Sequence, residues 1–230
     1  MVVATYEQPL KTLLSLMGAA LLCVFSGVLA TAGEEKSPET IQIVAFGDSL
    51  TAGYELPPTA AFPAQLQKAL KKRGHNVAVA NAGVSGDTTS GGLQRLDWAV
   101  PPGTEAVILE LGANDALRGI DPAEARANLD QILASLGKRG IPVLLAGMRS
   151  PQNWGKDYVD SFESMYPELA ERHGALLYPF FMEGVALDPK LNLDDGLHPN
   201  TAGVARIVTG ILPQVEALIE RAKSKRDKKQ

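Results

Sequence analysis

A chain of 230 residues, 45% of them apolar and with a formal net charge of −4, is long enough for one domain with a substantial core. The charge is uneven: residues 221–229 hold six basic side chains and one acidic, which leaves the rest of the chain more acidic than the total. An acidic body is a poor binder of phosphate backbones, so nucleic acid is not expected as a partner.

In chain order, the first feature is an uncharged run of 18 residues, Leu13 to Ala30, which follows Lys11 and leads into Ala30-Thr31-Ala32. The small-x-small ending predicts a secretory signal over residues 1–32, cleavage after Ala32 and a periplasmic or secreted protein. The run is also long enough to span a bilayer, and an uncleaved membrane anchor is the alternative reading. Cys23, the single cysteine, lies inside it, so the processed chain has no thiol for a disulfide or for thiolate catalysis. Residues 33–40 read as a polar linker, 41–221 as one domain and 222–230 as a basic tail, a solvated helix end.

From residue 41 onward, short apolar runs alternate with helical patterns. Ile41–Phe46 is the first expected strand, and it runs into Gly47-Asp48-Ser49. A helix over Phe62–Lys72 leads to a second strand, Val77–Ala80, and a loop containing Ser85-Gly86-Asp87. A helix over Thr88–Asp97 leads to a third strand, Ala106–Leu111, and Gly112-Ala113-Asn114-Asp115. Pro122–Lys138 and Tyr158–Arg172 are expected helices, Pro142–Ala146 and Ala175–Leu177 strands, and Thr201–Arg221 the last helix. Several strands are solid apolar runs, which suits a parallel sheet covered on both faces. The repeated βα units predict an α/β fold, a three-layer doubly wound five-stranded parallel sheet. In such sheets sites form at the carboxyl ends of the strands, where the three polar, glycine-marked loops fall.

A hydrolytic serine needs a base, and the chain has three histidines. His75 lies in a helix-to-strand turn, and His173 in the last turn of a helix before Gly174, where an imidazolium complements the dipole. His198 sits in the polar loop "LDDGLHPN" with no helix or strand to serve, and Asp195 precedes it by three residues. A carboxylate so close can hold one imidazole nitrogen and leave the other for a serine hydroxyl. Ser49 is the strand-end candidate and Ser85 its rival; the G-x-S-x-G elbow is absent. An acyl-transfer site also needs donors for the developing oxyanion, and the N–H groups of Ser49 and Gly86 with the Asn114 amide would supply three. Taken singly, Gly86 reads equally as a turn glycine and Asn114 as a left-handed turn residue. Asp48 and Asp115 have no clustered His or Cys near them, so neither a metal site nor a cofactor is expected. Trp98 and Trp154 read as packing or loop residues; Met148 to Tyr158 reads either as a wall of the acyl pocket or as a plain connection.

Four segments, "FGDSLTAG", "NAGVSGDTT", "LGANDALRG" and "DDGLHPN", resemble in order the four blocks of the SGNH (GDSL) hydrolases, over about Ile41 to Ile219. "RSPQNWGKDYVDSFESMYPELA" and "YPFFMEGVALDP" are similar to the bacterial periplasmic thioesterase/lysophospholipase/arylesterase branch. The resemblance implies a flavodoxin-like fold, with Ser49 as nucleophile, His198 as base, Asp195 as orienting acid, and Ser49, Gly86 and Asn114 as the oxyanion hole. It implies a secreted serine hydrolase cleaving carboxylic esters and thioesters, lysophospholipids among them, through an acyl-serine intermediate. The alternative in the same class is a carbohydrate or peptidoglycan O-acetylesterase. Either way the expected partner is a small-molecule acyl substrate, with no protein partner required.

Overall fold

The computed structural model describes residues 40–228; the expected signal segment and all but the last residue of the expected linker lie outside them. Five strands form one sheet: β1 (Ile41–Gly47), β2 (Val77–Gly83), β3 (Ala106–Glu110), β4 (Val143–Ala146) and β5 (Leu176–Tyr178). All pairs are parallel, in the order β2-β1-β3-β4-β5. The doubly wound parallel sheet read from the apolar runs is therefore the observed fold, and the order is the flavodoxin-like one. β3 and β4 are buried along their whole length, as strands covered on both faces must be.

Among the described residues, seven α-helices lie between and after the strands: α1 (Ser49–Ala52), α2 (Phe62–Lys72), α3 (Thr89–Ala99), α4 (Ala113–Leu117), α5 (Pro122–Lys138), α6 (Lys156–His173) and α7 (Thr201–Asp227). α2 packs with α7 on one side of the sheet, while α3, α5 and α6 pack in sequence on the other. α7 is long and apolar enough to cross a membrane, yet Val204, Ile207, Ile211, Val215 and Leu218 are buried at helical spacing. That is the stripe of a core helix.

The element boundaries differ from the sequence reading in instructive places. β2 continues from Ala80 through Asn81-Ala82-Gly83, in register with Ala45, Phe46 and Gly47. It is an edge strand, so its ladder needs backbone groups rather than an unbroken apolar run. The sequence pattern sets no bounds for α1, the helical structure into which Ser49 leads, or for α4; each is a single turn or little more, too short to show a period. α7 does not stop at Arg221. Ala222 is buried, and Arg226 pairs with Glu105 at 2.6 Å and donates to the Thr40 carbonyl at 3.2 Å, so the basic end is bound to the body rather than merely solvated.

Candidate active site

The strand ends place the unusual residues on one edge. β1 stops at Gly47, where a Cβ would lie 2.2 Å from Thr51 Oγ1 and 2.6 Å from the Glu110 carbonyl, so only glycine lets the following turn fold this tightly. That turn is α1. Its cap is Asp48, whose Oδ1 accepts the Leu50 N–H at 2.9 Å, so the Ser49 hydroxyl has no capping duty. Ser49 is buried at 8% exposure, and its Oγ lies 2.9 Å from His198 Nε2.

The loop before α7 builds the other half. Asp195 Oδ1 accepts the N–H groups of Leu197 and His198 at 2.9 and 3.0 Å, a side-chain turn that Gly196, at φ +70°, completes. Its Oδ2 accepts from His198 Nδ1 at 2.6 Å, which fixes the tautomer with Nε2 free to accept from Ser49. Asn200 caps α7 by accepting from Ala202 and Gly203, and donates back to the Lys190 carbonyl at 2.9 Å, pinning the loop at its end. Partial desolvation would raise the Asp195 carboxyl; the two backbone donors and the imidazole outweigh it and pull it down to about 2. Tyr54 covers the imidazole, its ring centroid 4.4 Å away. Nothing in the sequence marked Tyr54.

His75 and His173 stand apart, bound to Glu216 at 3.1 Å and Asp130 at 2.8 Å respectively. Among the described residues, only Ser49 brings a hydroxyl to a histidine ring, so Ser85 is not placed as its rival. Gly86 follows Ser85 in the β2–α3 loop at φ +81°, a left-handed backbone that favours glycine, and its N–H meets no described acceptor. Asn114 begins the third loop in the first turn of α4, and its Nδ2 donates to the Asp87 carbonyl at 2.9 Å and to Asp48 Oδ2 at 3.2 Å. The structure thus gathers Ser49, Gly86 and Asn114 loops with Asp195 and His198, five residues from four connections. Asp115 faces away from this group; its carboxylate accepts the Thr89 N–H and hydroxyl at 2.8 and 2.6 Å and so ties α4 to α3. Trp154 is partly exposed, its indole donating to the Ala116 carbonyl at 2.8 Å, and Trp98 is an exposed residue at the end of α3. Tyr158 donates to the Ile120 carbonyl, so the segment after β4 also braces the loop that carries Asn114.

Beneath Ser49 lie two fully buried carboxyls, Asp48 and Glu110. Glu110 Oε2 accepts from the Thr51 hydroxyl at 2.7 Å, Oε1 has no partner, and neither acid forms a salt bridge among the described residues. Burial pushes Asp48 up to about 7 against the Leu50 N–H, the His198 charge and the Asn114 amide; burial and then the Asp48 charge push Glu110 well up. A raised carboxyl contributes stability that is complete below its unfolded value and is lost as pH rises through its folded one. The thermal midpoint of the protein should therefore fall between pH 5 and pH 8, a range in which Asp195 is ionised in both states and adds no slope. Glu110→Gln keeps the shape and removes one ionisation, so its midpoint should be flatter with pH and higher than wild type at pH 8. Parallel profiles for the two proteins would show that the pair does not carry this burden.

A family model described as GDSL-like Lipase/Acylhydrolase family matches residues 45–206. The chain is 42% identical over 159 residues to a protein of Vibrio mimicus named arylesterase, covering 69% of this chain and 80% of that one. It is 38% identical over 178 residues to a protein of Escherichia coli named thioesterase 1/protease 1/lysophospholipase L1, covering 77% and 84%. Among solved structures, AlinE4, titled an SGNH-hydrolase family esterase, is 48% identical, with a TM-score of 0.66 over 78% of this chain and 96% of that one.

Proposed function

Because the chain belongs to the GDSL-like lipase/acylhydrolase family and is a serine ester hydrolase, we propose that it is an exported enzyme that cleaves acyl and aryl esters and acyl thioesters through an acyl-serine intermediate. The observation that carries this reading is the hydrogen-bonded chain from Ser49 Oγ to His198 Nε2 and from Nδ1 to Asp195, at 2.9 and 2.6 Å. His198 takes the Ser49 proton as the oxygen attacks the substrate carbonyl, and Asp195 holds the imidazolium that forms. The N–H groups of Ser49 and Gly86 and the Asn114 amide bind the oxyanion that develops. His198 then protonates the leaving alcohol or thiol, and a water repeats the sequence to free the acid and restore Ser49. Supporting the thioester and lysophospholipid part of the range is the similarity to a relative that bears both words in its name.

The test is a panel of p-nitrophenyl esters from acetyl to palmitoyl, acyl-CoA thioesters and a lysophospholipid. Hydrolysis of medium or long acyl esters together with thioesters is the expected result. Turnover confined to acetyl esters of sugars would instead make this an O-acetylesterase. We place the enzyme outside the cytoplasm on the strength of the Leu13–Ala30 run and the Ala30-Thr31-Ala32 pattern. Intact mass of the enzyme from the exported fraction should correspond to a chain starting at Gly33; full-length chain found only in membranes would make it an anchored hydrolase.

A further inference from the structure

Arg95 lies on α3 with its side chain only 8% exposed, an unusual burial for a guanidinium. Each of its three nitrogens donates. Nη2 donates to the Gly47 carbonyl at 2.8 Å, Nη1 to the Ala82 carbonyl at 2.8 Å, and Nε to Asp87 Oδ2 at 2.6 Å. The Phe46 ring lies under the guanidinium carbon at 4.4 Å and closes the fork's apolar face.

What these acceptors carry decides the meaning. Gly47 is two residues before Ser49, and Ala82 is the penultimate residue of β2. Asp87 adjoins Gly86, and its carbonyl is the acceptor on which the Asn114 amide hangs at 2.9 Å. One side chain therefore holds the ends of two strands and the loop of Gly86 and Asp87 from which the Asn114 amide hangs. We propose that Arg95 is a positioning residue for the oxyanion hole, locking the Ser49 turn, the Gly86 loop and, through Asp87, the Asn114 amide into one mutual geometry. This rests on the oxyanion-hole reading above. A buried ion pair is by itself weak evidence of stabilisation, since desolvation offsets the attraction. The direction of the remaining two donors, onto the carbonyls of strand ends at the site rather than into the core, is what a positioning role requires. Lysine, a point charge without the fork, reaches at most part of this set.

The experiment measures kcat, KM and the affinity of a trifluoromethyl ketone, whose hydrate-like adduct on serine puts an oxyanion in the hole, for Arg95→Met, Arg95→Lys and Asp87→Asn. Arg226→Met, which breaks the pair with Glu105 near the opposite ends of the strands, serves as a control for lost stability without lost positioning. Folded Arg95→Met should lose about tenfold or more in kcat, with KM nearly unchanged and ketone binding weakened by a similar factor. Arg95→Lys should recover part of the loss, and Arg226→Met should lower only the melting temperature. In an Asn114→Ala background the Arg95→Met loss should shrink, because the donor it helps to position is already gone. If Arg95→Met fails to fold, Arg95→Lys and the isosteric Asp87→Asn decide the matter by the same kcat and ketone readouts. Wild-type kcat and ketone affinity in those variants, while Asn114→Ala alone is impaired, would overturn the proposal and leave the oxyanion-hole reading intact. An unimpaired Asn114→Ala would overturn the oxyanion-hole reading itself.

Discussion

Ser49→Ala should lower kcat by about 10⁴–10⁶-fold, the range that removal of a triad nucleophile commands. The substitution deletes one oxygen whose hydrogen bond in the fold runs to His198 at 2.9 Å. The cap of α1 is made by Asp48 to the Leu50 N–H, and the Ser49 N–H stays where it is, so the turn and the backbone donor survive. The melting temperature should therefore move little, which separates a lost nucleophile from a lost fold. Removing His198 as well should add almost nothing, because the two act as a unit. A fluorophosphonate should add one adduct to the wild-type peptide that contains Ser49 and none to the variant. An adduct on Ser85, or a Ser49→Ala enzyme with substantial turnover, would sink the assignment.

Asn114→Ala should cost about 10²–10³ in kcat, the usual loss for one oxyanion donor, with KM little changed. The split follows from when the charge appears: the carbonyl oxygen is nearly neutral in the bound ester and anionic only in the transition state. In the resting structure the Asn114 Nδ2 donates to the Asp87 carbonyl at 2.9 Å and to Asp48 Oδ2 at 3.2 Å. The longer bond is the one an oxyanion would have to share. Asn114→Asp has the same shape but no donor, and it adds a carboxyl beside buried Asp48; it should be at least as impaired as Asn114→Ala. Equal kcat in wild type and Asn114→Ala, with substrate saturating, would remove the residue from the site.

Much of the site was legible because its residues stand where no helix or strand needs them. Gly47, Asp48 and Ser49 interrupt an apolar run at a strand end; Asp195, Gly196 and His198 form a short turn with no periodic partner. A spacing of three along the chain makes Asp195 a weak candidate partner for His198 by itself, and the side-chain turn of the fold brings the two together. Between Ser49 and Ser85 the residues alone leave the matter open and the family resemblance points to Ser49; the structure brings Ser49 to the imidazole across 149 positions of sequence.

What the sequence determined by itself, then, is what local physics can write into it: apolar runs that make parallel strands, helical stripes between them, and polar turns that cap and bend. Tertiary structure alone decided what surrounds two buried charged residues, Glu110 and Arg95. Glu110 is one acid at the end of an apolar strand and Arg95 one base on a helix, and neither position has a period or a turn to mark it. Only packing of β1, β2, β3 and α3 brings Glu110 under Asp48 and Arg95 onto Gly47, Ala82 and Asp87, across 62 positions in the first case and as many as 48 in the second. Contacts of that separation depend on strand order and register, and a buried charge finds its meaning in whatever those two facts place beside it.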